Sequence, residues 1–174
     1  RCAVLLKNIS CLTLKPLSNT RWESKIEAIR PVRYQLGEIY DALFEISEDE
    51  CFSNEVQYEA QSLCTKIKDY KFICSLIVWH DLLNRINPVS KQLQEKGLSV
   101  TLALKAISNL KTFIEEYKSD INYKSILEKA KELSEEVDGE PQFKTVEEVR
   151  RRKKKCHFDY EHADESPRSP EEKF

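Results

Sequence analysis

An arginine and a tryptophan stand side by side at Arg21 and Trp22, at the start of the first long predicted helix. A helix N-terminus favours an anion through its free backbone N–H groups and the positive end of its dipole. Arginine adds a planar fork that matches a phosphate, and indole is a surface for base stacking, worth ~1–3 kcal/mol. The opposing interpretation is a core anchor, because Trp22 is in phase with Ile26 and Ile29.

The second candidate site is a run of six consecutive basic side chains: Arg150, Arg151, Arg152, Lys153, Lys154 and Lys155. This density of positive charge suits nucleic-acid phosphates or a nuclear-import receptor. Each neutralised phosphate would release a counterion, so binding would weaken with salt. The opposing interpretation is a solvated linker, since such runs are common in proteins.

No catalytic constellation is predicted. His80 and Asp81 adjoin and could orient a base, but neighbouring helical positions point in different directions. The six cysteines contain no C-x-x-C pair and the three histidines complete no zinc-finger spacing, so we expect no metal and no cofactor in this chain. Cys64 and Cys74 occupy apolar helical positions and should be reduced and structural, as in an intracellular protein.

The composition favours a single helical domain. The chain has 174 residues, 40% of them hydrophobic, with only three glycines and six prolines. A net charge of −2 gives no overall attraction to nucleic acid, so such binding would need a local patch. The longest apolar run, "FICSLIVW", is too short to span a bilayer, and no membrane partner is expected.

Apolar periodicity predicts four or five helices. The first has Thr20 as N-cap and Glu23 in a capping box, and Pro31 should kink or break it. The other helices are predicted to start near Ser53, near Tyr70, at Ser99 or Thr101, and near Tyr123. A bend or break is predicted at Pro88, a stop at Gly97 and a final stop at Asp138–Gly139. The helix from Tyr70 is apolar on more than one face and should be central.

The predicted organisation has three parts. Residues 1–17 form a short extended segment, and residues 18–138 form an all-α multi-helix bundle. Residues 139–174 have no sustained apolar period and carry the basic run, then a mostly acidic stretch, so they are interpreted as an irregular charged arm. The sequence begins and ends abruptly and contains no methionine, which suggests a piece of a longer protein.

Three segments together resemble one family. They are "LKPLSNTRWESKIEAIRPVRYQLGEIYDAL", "ICSLIVWHDLLNRINPVSKQLQ" and "KKKCHFDYEHADE". In this order they resemble the middle of a hAT-superfamily transposase, of the branch with the zinc finger MYM-type and related domesticated transposase proteins. The resemblance covers roughly residues 12–174.

The resemblance implies the helical insertion domain of an RNase H-like transposase core. In that family, three carboxylates in the core bind Mg²⁺ or Mn²⁺, and none of them can be matched in this chain. The tryptophan of the "RW" pair helps to stabilise a base flipped out at the DNA hairpin, a role that would fall on Trp22 beside Arg21. Stacking on an aromatic ring offsets the unpairing of such a base.

We therefore expect a fragment of a hAT-type DNA transposase or of a nuclear protein derived from one. This fragment would contribute DNA-end binding and scaffold, without a complete active site, and would not itself be an enzyme. Its expected partners are transposon-end DNA and other transposase subunits or nuclear proteins. The alternative is a non-catalytic protein–protein interaction bundle in a domesticated regulator.

Overall fold

The computed structural model describes residues 14–15 and 22–145, and within them the secondary structure is six helices without a strand. This confirms the predicted all-α bundle, but the described residues form one helix more than the four or five predicted, because the first predicted helix is divided at Gln35. The helices are α1 (Trp22–Tyr34), α2 (Leu36–Glu48), α3 (Asn54–Ile67), α4 (Tyr70–Leu93), α5 (Val100–Tyr117) and α6 (Asp120–Glu136). They all belong to the first of two compact units, Arg1–Pro141 and Gln142–Phe174. The predicted extended segment, except residues 14 and 15, and the arm beyond residue 145 lie outside the described residues.

Helix α4 is central, as predicted. It contacts α1, α3, α5 and α6, while α2 packs mainly against α3. Helix α1 runs antiparallel to α4, because Glu23 at its start pairs with Lys91 and Tyr34 at its end meets the His80 ring. The start of α4 is tied to α6 by the Tyr70 hydroxyl, which donates to the Leu127 carbonyl at 3.0 Å.

The core lies where the inward faces of these helices meet. Ile73 and Cys74 of α4 are fully buried, and Ile77 and Leu83 are 1% exposed. Cys64 is buried as well, which confirms that both helical cysteines act as small apolar side chains. Burial raises the pKa of the Cys74 thiol to about 11, so this group stays protonated and unreactive at neutral pH.

Side-chain caps set the beginnings of α4 and α5, both close to the predicted residues. The Asp69 carboxylate accepts from the Lys71 N–H at 3.0 Å, and the Ser99 hydroxyl accepts from the Leu102 N–H at 3.3 Å. These acceptors satisfy backbone donors that the first helical turn leaves without a partner. The predicted cap at Thr20 lies outside the described residues, and Glu23 forms an ion pair with Lys91.

Neither proline ends its helix, so the predicted break does not occur at Pro31 or Pro88, while the predicted kink stays a prediction. Pro31 lies inside α1 and the interruption comes at Gln35, while Pro88 lies inside α4, which continues to Leu93. Each proline removes one backbone donor, and this loss does not end either helix at that residue. Gly97, at φ 87°, lies in the loop beyond the end of α4.

The predicted stop at Asp138–Gly139 is confirmed. Asp138 has φ 50°, and the Gly139 N–H donates to the Ser134 carbonyl at 2.8 Å. A Cβ at residue 139 would lie 2.9 Å from Ser134 Oγ and 3.1 Å from the Lys68 carbonyl oxygen. Glycine therefore lets the end of α6 close directly over the end of α3.

Helix α5 is the exception to the burial of side chains seen in the other helices of the bundle. The structure describes all of it, and none of its residues is buried, although the helix is rich in leucine and isoleucine. Val100 is 75% exposed, Leu104 62% and Ile107 48%. These three residues recur at helical spacing, so they share one side of α5. That side borders the groove described next.

Candidate functional site

Trp22 is the first residue of α1 and lies at the edge of the bundle. Its side chain is 42% exposed, whereas Ile26, one turn later, is 1% exposed. The apolar stripe of α1 therefore enters the core at Ile26. Because Trp22 precedes that point, it is not a core anchor.

The Trp22 ring forms one wall of a groove with a volume of about 310 Å³. Helix α4 and the residue after it form the floor, and α5 forms the opposite wall. The other lining residues are Ile86, Val89, Ser90, Leu93, Gln94, Ile107 and Leu110. We call this site the Trp22 groove. It is mainly aliphatic, with one hydroxyl and one amide that can make hydrogen bonds to a guest.

A cation lies over the tryptophan ring. Lys25 Nζ is 4.6 Å from the ring centroid, within the range of a cation–π interaction. One helical turn of α1 thus places an ammonium group and an indole ring together. Such a pair can hold a phosphate and an adjacent aromatic ring at the same time.

Ion pairs fix α1 beside the Trp22 groove. Lys91 Nζ lies 2.5 Å from Glu23 Oε1, which joins the start of α1 to the end of α4. Lys15 Nζ lies 2.8 Å from Glu27 Oε2, and this hydrogen bond and charge lower the pKa of Glu27. Both pairs are largely solvent-exposed, so they orient the helix more than they stabilise it.

The predicted site residues are only partly placed by the structure. Trp22 is described, but Arg21 lies outside the described residues, and so does the whole basic run from Arg150 to Lys155. Lys25 and the groove residues of α4 and α5 were missed by the sequence analysis. The second apolar face of α4 could have indicated the groove, but it was interpreted only as a sign that α4 is the central helix.

A second polar cluster joins α4 to α5. His80 Nδ1 lies 3.3 Å from Asp81 Oδ1, and the Tyr117 hydroxyl donates to Asp81 Oδ2 at 3.1 Å. The expectation that adjacent helical positions would keep His80 and Asp81 apart is wrong, because both side chains bend toward each other.

The surroundings of this cluster indicate that its role is structural, as a hydrogen-bonded link between α4 and α5. His80 is 8% exposed and meets the Tyr34 ring edge-on at 5.3 Å. Burial tends to raise the pKa of Asp81, but hydrogen bonds from His80 and Tyr117 and nearby positive charge outweigh it and lower that pKa. Burial and the Asp81 carboxylate raise the pKa of Tyr117, so its hydroxyl remains a donor.

Comparisons with known proteins identify no relative: no family model, curated protein or solved structure matches this chain. Within residues 14–15 and 22–145, no helix has the length and apolar character needed to cross a membrane. The same part of the chain contains no group of three or more His, Cys, Asp or Glu side chains that could hold a metal ion.

Proposed function

We propose that this chain is the helical insertion domain of a hAT-type transposase or of a nuclear protein derived from one. In this proposal the Trp22 groove holds a base at the end of a DNA duplex. The "TRW" motif and the two longer segments that resemble the family support the family assignment. Transposon-end DNA and other transposase subunits or nuclear proteins are the proposed partners, and the nucleus is the proposed location.

The observation that carries the proposal is the half-exposed Trp22 ring. A tryptophan needed only for stability would be buried, because indole contributes through the apolar area that it removes from water. Trp22 instead keeps 42% of its surface exposed and lines a groove. At about 310 Å³, the groove lies at the lower end of the usual volume range of small-ligand sites, which suits a single base.

Lys25 gives the groove a contact to the DNA backbone. A base turned out of its duplex brings its own phosphate with it, and unpairing requires a few kcal/mol that stacking must offset. The Lys25 ammonium group, 4.6 Å from the ring centroid, is near enough to meet that phosphate. The Gln94 amide nitrogen donates to the Ser90 hydroxyl oxygen at 3.1 Å. The Ser90 O–H and the Gln94 carbonyl oxygen can still bond to the edge of the base.

Cutting of DNA is not part of this proposed role. Mg²⁺ or Mn²⁺ would be held by carboxylates of the intact RNase H-like core. The described residues offer no carboxylate cluster that fits such a metal. We therefore assign no catalytic step to this domain, only the binding and orientation of a DNA end.

The proposal is tested by the affinity of the full chain for a DNA hairpin with one extrahelical base. Trp22→Ala should weaken binding by about 5- to 150-fold, the equivalent of ~1–3 kcal/mol of stacking. Trp22→Phe should retain part of the affinity, because a smaller ring still stacks. Circular dichroism of each variant shows whether the helices remain intact.

Trp79→Ala is the matched control, because Trp79 is 52% exposed and lies away from the Trp22 groove. It should bind the hairpin as the parent chain does. Equal hairpin affinity of Trp22→Ala and the parent would overturn the proposal. So would equal weakening by Trp22→Ala and Trp79→Ala.

A second candidate function, a non-catalytic protein–protein interaction bundle, is favoured by α5. An amphipathic helix usually stabilises a domain by burying its apolar face, yet no residue of α5 is buried. Exposed apolar surface of this kind is typical of interaction sites. Failure of every hairpin test, with normal folding, would leave this function as the better one.

A further inference from the structure

Helix α5 is tied to α4 near one of its ends. Among the described residues, its side-chain hydrogen bond and its ring contact to α4 both lie in its last two turns. The Tyr117 hydroxyl donates to Asp81 Oδ2 at 3.1 Å. The Arg85 guanidinium lies 5.2 Å from the centre of the Phe113 ring. The C-terminal half of α5 is therefore its anchored half.

The N-terminal half of α5 follows a loop that can act as a hinge. Helix α4 ends at Leu93, and α5 begins at Val100. Between them, Gly97 has φ 87°, and a Cβ built there would meet no described atom within 4 Å. Glycine adopts this conformation without strain, and the bundle does not crowd the loop at this point. The Ser99 cap bonds to Leu102 of α5 itself, so it would move together with the helix.

The N-terminal half of α5 presents its apolar residues on the side of the Trp22 groove. Ile107 lines the groove, and Leu104 and Val100 lie one and two turns earlier on the same side of the helix. Across the groove, Trp22 is 42% exposed, and Leu93 on the floor is 40% exposed. Exposed apolar side chains therefore border the groove on both sides, and a tilt of α5 toward α1 would bring them together over its contents.

An empty groove does not favour this tilt. Side chains that closed over an unfilled volume of about 310 Å³ would have no atoms beneath them to contact. A guest that fills the groove supplies these contacts, and the apolar surface of α5 then leaves water with a gain in free energy. Closure of α5 is thus coupled to occupation of the groove.

We propose that α5 is a hinged wall that closes over an extrahelical base in the Trp22 groove. The helix turns about its anchored end at Tyr117, and the loop at Gly97 accommodates the movement. This proposal rests on the proposed function, because it takes the base as the guest. Closure excludes water from the stacked base and delays its release, as lids of binding sites do.

Two leucines on opposite sides of α5 test the proposal. Leu104 is 62% and Leu102 52% exposed, and neither lines the groove of the free chain. Residues two apart on a helix point to nearly opposite sides. Leu104→Gln should weaken binding of the hairpin with one extrahelical base by about 5- to 20-fold, because closure would bury an amide in place of a leucine.

Leu102→Gln is the matched control and should bind the hairpin as the parent chain does, since Leu102 faces away from the groove. Both variants should unfold at the denaturant midpoint of the parent chain, because both side chains are exposed. A difference in hairpin affinity therefore reports closure and not a loss of fold.

Hydrogen exchange of the full chain, followed by mass spectrometry, measures the movement itself. In the free chain, residues 104–108 should exchange at least about tenfold faster than residues 111–115, because only the second group belongs to the anchored half. Saturation with the hairpin should slow residues 104–108 at least about tenfold. A fully paired duplex should not slow them.

The outcomes separate the hinged wall from the proposed function. Hairpin binding without slower exchange of residues 104–108 would overturn the hinged wall and leave base binding by Trp22 intact. Equal hairpin affinity of Leu104→Gln and Leu102→Gln would do the same. Equal exchange of the two groups in the free chain would show that α5 has no hinge. Failure of the parent chain to bind the hairpin would overturn both proposals.

Discussion

The two sides of α4 differ in burial although they come from the same 24-residue segment. On the inner side, Ile73, Ile77 and Leu83 are exposed by 1% or less. On the outer side, Trp79 is 52% exposed and Leu93 40%. Apolar character alone therefore does not separate the residues that hold this fold from those that are displayed. The comparison assigns stability to the inner side, while the apolar side chains of the outer side remain exposed.

Helices α5 and α6 repeat this contrast. Helix α6 has many charged residues, yet it buries Ile126, Ala130 and Leu133 against the bundle. Helix α5 has more leucine and isoleucine, yet none of its residues is buried. Burial follows from which helices pack against each other, and this depends on the tertiary fold more than on the hydrophobicity of one segment.

The largest expected effect is on the inner side of α4. Ile77→Ala should lower the free energy of unfolding by about 2–5 kcal/mol, because it leaves a cavity where packing is complete. Ile77 is 1% exposed. Denaturant unfolding followed by circular dichroism measures this change.

Leu104→Ala on α5 is the control for Ile77→Ala, since Leu104 is 62% exposed. It should change the free energy of unfolding by less than about 0.5 kcal/mol. If the two variants lose equal stability, the division of the bundle into a stabilising side and a displayed side is wrong.

The next effect concerns the contact between the ends of α6 and α3. Gly139→Ala places a Cβ 3.1 Å from the Lys68 backbone carbonyl, which cannot move as freely as a side chain. We expect a loss of about 1–3 kcal/mol, typical of overpacking. Gly37→Ala is the control, because its Cβ would lie 3.5 Å from the nearest atom, an ordinary contact. A larger loss in Gly37→Ala would contradict the account of this helix end.

The smallest effect is the pH dependence supplied by Asp81. Its pKa is lowered in the folded state, so its contribution is present above the ordinary aspartate value of about 3.9 and is lost as the pH falls through the folded value. Asp81→Asn should remove about 0.5–1.5 kcal/mol at pH 7. Below about pH 4 the stability of the Asp81→Asn variant should approach that of the parent chain.

Tyr117→Phe is the companion variant, because it removes the hydroxyl that donates to Asp81 at 3.1 Å. It should reduce the same acid-dependent loss of stability only in part, since the His80 contact remains. The midpoint of denaturant unfolding, measured for each variant from about pH 3 to about pH 7, tests this prediction. A parent chain with the same midpoints as Asp81→Asn across that range would contradict the assignment.

Much of the fold could be predicted from the sequence, since helix starts depend on local chemistry. Asp69 and Ser99 accept hydrogen bonds from backbone N–H groups of their own first helical turns, and these contacts need no other helix. The effect of the prolines was harder to predict, because α4 continues through Pro88 to Leu93 although proline lacks a backbone donor. Their local preference for a break was therefore overridden.

The candidate site was predictable only in part. The type and position of Trp22 marked it as a possible stacking surface, but its exposure depends on where α4 and α5 lie. Lys25, three residues along the same helix, could have been paired with Trp22 from helical spacing. The wall formed by Ile107 and Leu110 could not, because it depends on how α5 packs against α4, and both residues lie more than eighty residues beyond Trp22 in the chain.

The most direct test of the Trp22 groove is its own fluorescence. The chain has two tryptophans, so Trp79→Phe leaves Trp22 as the single indole reporter. Titration with a hairpin that carries one extrahelical base should quench Trp22 emission, while the fully paired duplex should leave it nearly unchanged, because only an unstacked base can lie against the ring. Equal emission with the two DNAs at saturation would contradict the account.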